Sequence, residues 1–168
     1  SLGGETLWLS SGRCLWWPNR ETLVVADLHF GKGIDFSTRG SLLPPYDVQE
    51  TLSRLKQLIS KFKAKRVICL GDNFHRSHSF KALKQWEQKL INKLVLSVSE
   101  WIWITGNHDP DLPLELSGIK IENMSDGHLG FYHQPHPIIR DELQIVGHYH
   151  PKYVTKIQRQ RISKPCFA

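Results

Sequence analysis

The sequence predicts an α/β protein built on a mostly parallel sheet, and three observations carry that prediction. Three short apolar runs, 22–26 (TLVVA), 67–70 (VICL) and 101–105 (WIWIT), are rich in β-branched or aromatic residues and each stops at a polar residue or a glycine. Helix-period segments separate them, and strands alternating with helices imply crossover connections within one sheet. Each run leads directly into a cluster of residue types that can ligate metal ions.

Taken in order, the first run is followed by a stretch from Gly31 to Pro45 that holds three glycines and two prolines. Loops of about 15 residues are uncommon in compact domains, which marks this one as functional. Asp47 and Glu50 then have capping-box spacing, and Val48, Leu52, Leu55, Ile59 and Phe62 recur at steps of four, three, four and three. That pattern is an amphipathic helix whose outer face carries Arg54, Lys56, Lys61, Lys63, Lys65 and Arg66, with no acid between residues 53 and 66. A second helical stripe comprises Phe80, Leu83, Leu90, Ile91, Leu94, Val95 and Val98. After Pro110 the chain shortens into segments at 119–122, 128–133, 143–147 and 153–157, read as strands of a second sheet or an antiparallel edge.

The 168 residues, 40% of them hydrophobic, suit one domain spanning 1–168. Cys14, Cys69 and Cys166 are odd in number and far apart, which excludes a disulfide framework and points to a reducing, cytoplasmic compartment. No apolar run approaches the ~20 residues of a membrane span. The net charge is +6, from 22 basic and 16 acidic residues. The last 18 residues contain Lys152, Lys156, Arg159, Arg161 and Lys164 and no acid, a balance that suits phosphate-bearing partners such as nucleic acid.

Four clusters carry the chemistry: Asp27-Leu28-His29, Gly71-Asp72-Asn73, Gly106-Asn107-His108-Asp109 and Gly147-His148-Tyr149-His150. Neighbouring parallel strands share a rim at their carboxyl ends, so the clusters should converge there. Alternate residues of an extended segment face one side, which lets Asp27 and His29, or His148 and His150, reach one ion. Glycines before Asp72, Asn107 and His148 permit tight turns and close backbone approach. Oxygen and imidazole donors without thiolate point to Mn²⁺, Fe²⁺, Zn²⁺ or Mg²⁺ rather than to a structural zinc site, and Mn²⁺ is the ion expected. Charge counting favours two ions: four positive charges less Asp27, Asp72 and a bridging hydroxide leave about one to face a phosphodiester, the arrangement of an in-line phosphoryl displacement.

In this order the motifs, with His133 between them, resemble the calcineurin-like metallophosphoesterases. More narrowly, the segments 26–32 (ADLHFGK), Arg39-Gly40, 42–47 (LLPPYD) and 147–151 (GHYHP) resemble the bacterial DNA ligase-associated, DNA-repair metallophosphoesterases of the PdeM family. The resemblance implies a four-layer α/β/β/α sandwich of two mixed sheets flanked by helices, and two divalent ions on its rim. It implies Asp27, His29, Asp72 and His150 around one ion, and Asp72, Asn107, His133 and His148 around the other. His108 matches the family's acid for the leaving oxygen, Asp109 is expected to orient it, and His75 matches a second catalytic histidine of double-strand-break repair nucleases. Lys32 and Arg39, in the long loop, are expected to contact phosphate.

Two departures stand out. Gln134 follows His133 where the narrower family tends to have an acid, and His128 and His136 compete for the same ligand position; His133 is preferred because it ends the alternating stretch 129–132. The family also continues with further strand and tail beyond the point where this sequence stops. The expected activity is a metal-dependent phosphodiesterase, a DNA-repair nuclease with a DNA ligase or helicase as partner. The alternatives are a phosphomonoesterase or cyclic-nucleotide diesterase, and a scaffold without chemistry; retention of Asn107, His108, His148 and His150 speaks against the last.

Overall fold

The three apolar runs become strands β3 (Thr22–Val25), β4 (Arg66–Leu70) and β5 (Glu100–Ile104), side by side and parallel. The computed structural model describes residues 2–33, 47–137, 143–158 and 160–168. Along these strands successive side chains enter different cores: Val67 and Cys69, and Trp101 and Trp103, face one side, while Ile68 and Leu70, and Ile102 and Ile104, face the other. Burial on both faces explains why the runs are continuously apolar rather than alternating.

Two strands extend this sheet on one side, β1 (Trp8–Ser10) and β2 (Cys14–Trp17), a hairpin paired antiparallel to β3. On the other side β6 (Ile119–Ile121) adds in parallel to β5. Segment 119–122 therefore belongs to the first sheet, as its far edge, and not to a second one. It is short and its Ile119 is exposed, as an edge strand allows.

The expected helix forms as α1 (Asp47–Phe62), with Val48, Leu55 and Leu58 buried. The second stripe is two helices, α2 (Ser79–Ala82) and α3 (Gln85–Val95). Leu83 and Lys84 between them are extended, and the Glu87 carboxylate accepts the Lys84 N–H at 2.9 Å to start the second helix anew. This break turns Leu90 out to solvent, while Ile91 and Val95 keep their core positions. All three helices pack on the face of the sheet that carries Val67, Trp101 and Trp103.

Against the opposite face lies a second sheet of β7 (Met124–Asp126), β8 (Leu129–Tyr132) and β9 (Leu143–Val146). Leu129 and Phe131 interdigitate there with Trp17, Val24, Ile68, Leu70, Ile102 and Ile104. Arg66 ties the sheets electrostatically through a 2.6 Å ion pair with Asp126. The result is a mixed α/β sandwich of two sheets, with the described helices on the outer face of the larger one. A separate antiparallel ribbon, β10 (Lys152–Ile157) and β11 (Gln160–Pro165), follows β9.

Trp16, Trp17, Trp101 and Trp103 are core residues, whereas Trp8 is exposed at the sheet edge. Cys14, Cys69 and Cys166 are all free thiols, the first two buried. No helix among the described residues is long and apolar enough to cross a membrane.

Candidate metal centre

Parallel strands of both sheets end at one rim. From the large sheet, β3 delivers Asp27 and His29, β4 delivers Asp72 to His75, and β5 delivers Asn107 to Asp109. From the small sheet, β8 and its parallel neighbour β9 deliver His133 and then His148 and His150. The backbone crowds here. A Cβ on Gly106 would sit 2.2 Å from the Asp72 nitrogen, and one on Gly71 would sit 2.4 Å from the His133 ring. Gly71 also has φ +75°, so both position and conformation require glycine.

The donors gather into two groups that share Asp72: Asp27, His29, Asp72 and His150, and Asp72, His133 and His148, with ligand atoms in each group within 4.8 Å of one another. Asn107 joins the second through its Oδ1, 2.8 Å from His133 Nε2. These are the two sets that the resemblance implies, gathered by the fold. His128 and His136 stand apart; both are exposed, and the His136 ring stacks on Tyr132.

The arrangement itself tests whether a cation fits. His133 Nδ1 lies 2.9 Å from the Leu70 carbonyl, which can only accept, so Nδ1 carries the proton and Nε2 presents a lone pair. That lone pair faces Asn107 Oδ1 at 2.8 Å, Asp72 Oδ1 at 3.3 Å and His148 Nδ1 at 3.2 Å. The His133 lone pair and the two oxygens are acceptors that repel one another unless a positive charge sits among them, and a divalent cation, with a His148 nitrogen as a further ligand, meets that need. In the other group His29 Nε2 and His150 Nε2 approach to 3.3 Å, and His150 Nε2 lies 3.6 Å from Asp27 Oδ1. The Asp27 carboxylate also accepts the His148 N–H, at 3.1 Å to Oδ1, linking the two groups.

Burial acts in opposite senses on two ligands that metal binding requires deprotonated, favouring that form in His29 and opposing it in Asp27. It lowers His29 to a pKa of about 4, helped by His150, His108 and Lys32 and opposed by Asp72, so the imidazole is neutral at neutral pH. Burial pushes the Asp27 carboxyl above its ordinary value, against the pull of His150, the His148 N–H and His133.

His108 stands beside the shared carboxylate. Its N–H donates to Asp72 Oδ1 at 2.9 Å, its Nδ1–H donates to the His75 carbonyl at 2.9 Å, and its Nε2 faces Asp72 Oδ2 at 3.9 Å. The tautomer of His108 is therefore held by the His75 backbone, and this corrects the role expected of Asp109. Asp109 is completely buried, and its carboxylate accepts backbone N–H groups of Asn73 (2.8 Å), Phe74 (3.1 Å) and Gly106 (3.0 Å). It is a strut between the β4 and β5 loops. Burial pushes its carboxyl up to about 6 while the N–H donors pull it down.

Lys32 is exposed near His29, and Arg39 lies outside the described residues. Asn73 and Gln134 stand in the sequence motifs without an assigned role: the Asn73 side chain is buried and donates to the Ile104 carbonyl at 2.8 Å, and Gln134 Nε2 lies 3.3 Å from His148 Nε2. Adjacency to Asp72 and His133 was the available signal for both. The carbonyls of Leu70 and His75 leave no signal, because any residue has one.

The family model of the calcineurin-like phosphoesterases matches residues 21–158, which include every donor of both groups. The chain belongs to that family. Among solved structures, the crystal structure of Pseudomonas putida nuclease MPE is similar to this calcineurin-like fold with a TM-score of 0.79 and 26% identity, over 98% of this chain and 77% of that one. No curated protein matches the sequence at a significant level.

Proposed function

We propose that this calcineurin-like phosphoesterase is a two-metal phosphodiesterase that cleaves nucleic acid. The observation that carries the reading is the pair of donor groups joined by Asp72, with His108 Nε2 facing the same carboxylate. When bound, two divalent cations supply an activated water nucleophile and neutralise charge on the phosphoryl oxygens.

The chain's own residues do the rest. Asp27, His29, Asp72 and His150 hold one cation; Asp72, Asn107, His133 and His148 hold the other. Asn107 contributes a neutral oxygen, which leaves net positive charge toward an anionic diester. His108, anchored at Nδ1, presents Nε2 toward the site, where in the protonated imidazolium form it would give a proton to the departing oxygen, the role of a general acid. His75 flanks His108, ring centroids 5.8 Å apart, on the same side as His29. Lys32, and Arg39 from the same loop, attract the phosphate.

DNA is the proposed polymer, Mn²⁺ the proposed metal, and repair in a bacterial cytoplasm beside a ligase or helicase the proposed setting. The nuclease neighbour, the basic segments and the PdeM-like motifs support this. The test is hydrolysis of bis(p-nitrophenyl) phosphate and of a single-stranded oligonucleotide by Mn²⁺-reconstituted protein. Both should be cleaved, with loss of activity in EDTA, in Asp72→Asn and in His108→Ala. Wild-type protein that binds two ions and cleaves neither would refute the reading.

A further inference from the structure

Beyond the two donor groups, the rim brings together a third: His29, His75 and His108, one from each loop following β3, β4 and β5, with ligand nitrogens within 4.8 Å of one another. The rings form a nearly even triangle, with centroid separations of 5.2 Å (His29 to His108), 5.8 Å (His75 to His108) and 6.0 Å (His29 to His75). Two features set it apart. It contains no carboxylate, whereas each of the other groups contains at least one. His108 is also already oriented as a ligand, because its Nδ1–H is spent on the His75 carbonyl and Nε2 is left to coordinate.

We infer that His29, His75 and His108 form a third, inhibitory cation seat selective for imidazole-seeking ions such as Zn²⁺ and Cu²⁺. Neutral nitrogen donors suit those ions, while carboxylate-bearing sets suit Mn²⁺ and Mg²⁺. Because His29 belongs also to the group with Asp27 and His150, an ion in the third seat draws His29 away from that group. It also occupies His108 Nε2, the atom that carries the proton for the leaving oxygen. The seat itself follows from the geometry alone; its inhibitory character rests on the proposed role of His108.

The test counts nitrogens. One equivalent of Cu²⁺ is added to metal-free protein, and ¹⁴N superhyperfine coupling is read by electron paramagnetic resonance. The third seat offers three imidazoles, and each of the other groups only two. Wild type should show three nitrogens, His150→Ala should keep three, and His75→Gln should fall to two. His108→Gln removes a different nitrogen of the same seat and gives the same fall, should the His75 variant fail to fold. Wild type with two nitrogens, or a three-nitrogen signal that survives both His75→Gln and His108→Gln, overturns the inference. In parallel, Zn²⁺ should inhibit the Mn²⁺-loaded enzyme, and His75→Gln should need at least about tenfold more Zn²⁺ for the same inhibition. The resonance result stands whether or not diesters are cleaved, so failure of the seat and failure of the phosphodiesterase reading are separable.

Discussion

Replacing Asp109 separates two roles that a carboxylate beside a catalytic histidine can play. Its side chain is completely buried and accepts N–H groups from Asn73, Phe74 and Gly106 at 2.8, 3.1 and 3.0 Å. In Asp109→Asn one oxygen becomes an amide nitrogen, which cannot accept. If it replaces Oδ1, it faces the Gly106 N–H, and one of three bonds is lost. A hydrogen bond to a charged group contributes about 1.5–3 kcal/mol, so the substitution should cost roughly 2 kcal/mol. For a chain of this size that is a fall in Tm of roughly 4–8 °C. Asp109→Ala abandons all three donors and should cost several kcal/mol, a large share of the ~5–15 kcal/mol that holds a typical domain folded.

The assay is a thermal midpoint of the metal-free protein together with the pH profile of kcat on bis(p-nitrophenyl) phosphate. Loss of a strut lowers Tm and weakens Mn²⁺ binding, because Asp109 joins the Asn73 and Gly106 backbones on either side of the rim, but it leaves the shape of the pH profile alone. An orienting carboxylate does the reverse: Tm holds, and the limb of the profile that reports His108 moves or vanishes. Asp109→Asn with an unchanged midpoint and a displaced acid limb would refute the strut.

Gly106→Ala should fold poorly around the site, because its Cβ meets the Asp72 backbone nitrogen at 2.2 Å, where no side chain can swing aside; titration calorimetry should show Mn²⁺ affinity down at least tenfold. His108→Ala should lower kcat by roughly 10²–10⁴ without loss of bound metal, checked by elemental analysis beside the diester assay. In metal-free protein, His29 titrates near 4 when folded and near 6.5 when unfolded, so the unfolded chain takes up the proton first. The stability contributed by neutral His29 is present above pH 6.5 and lost as pH falls toward 4; urea midpoints across that window should flatten in His29→Gln. Phe131→Ala, in the core between the sheets, should cost about 3–5 kcal/mol, read as a lower urea midpoint.

The parts of the fold that were legible are those with a periodic or continuous apolar pattern. Past their first residues, strands β3, β4 and β5 are buried on both faces, so 23–25, 67–70 and 101–104 had to be apolar, and α1 repeats its core positions at regular steps. The hairpin β1–β2 was missed although Leu7 to Leu9 and Cys14 to Trp17 flank a Ser-Gly-Arg turn, because one half of it is an exposed edge with no alternation to read. Strand β11 is charged and exposed, and its place is set by its pairing with β10. The helix break at Leu83–Lys84 escaped the periodicity because Phe80 and Leu83 pack in the same core as Ile91.

The donors were legible because they stand at strand ends in a fixed order, and the role of Asp109 was not, because its partners are backbone groups. Backbone conformation was equally hidden. Asp27, His29, Asp72, His148 and His150 all have φ between +44° and +69°, a left-handed geometry that costs a residue with a side chain on the order of 1 kcal/mol or more. Cross-loop hydrogen bonds offset that cost: the Asp27 N–H donates to the Gly71 carbonyl, the His29 N–H to the Asp72 carbonyl and the His148 N–H to the Asp27 carboxylate. Each strained loop is thus held by a neighbour that carries a donor of its own. No loop reaches its ligand geometry alone, so the rim assembles as one unit, and damage at Gly106 or Asp109 should reach both donor groups through Asp72.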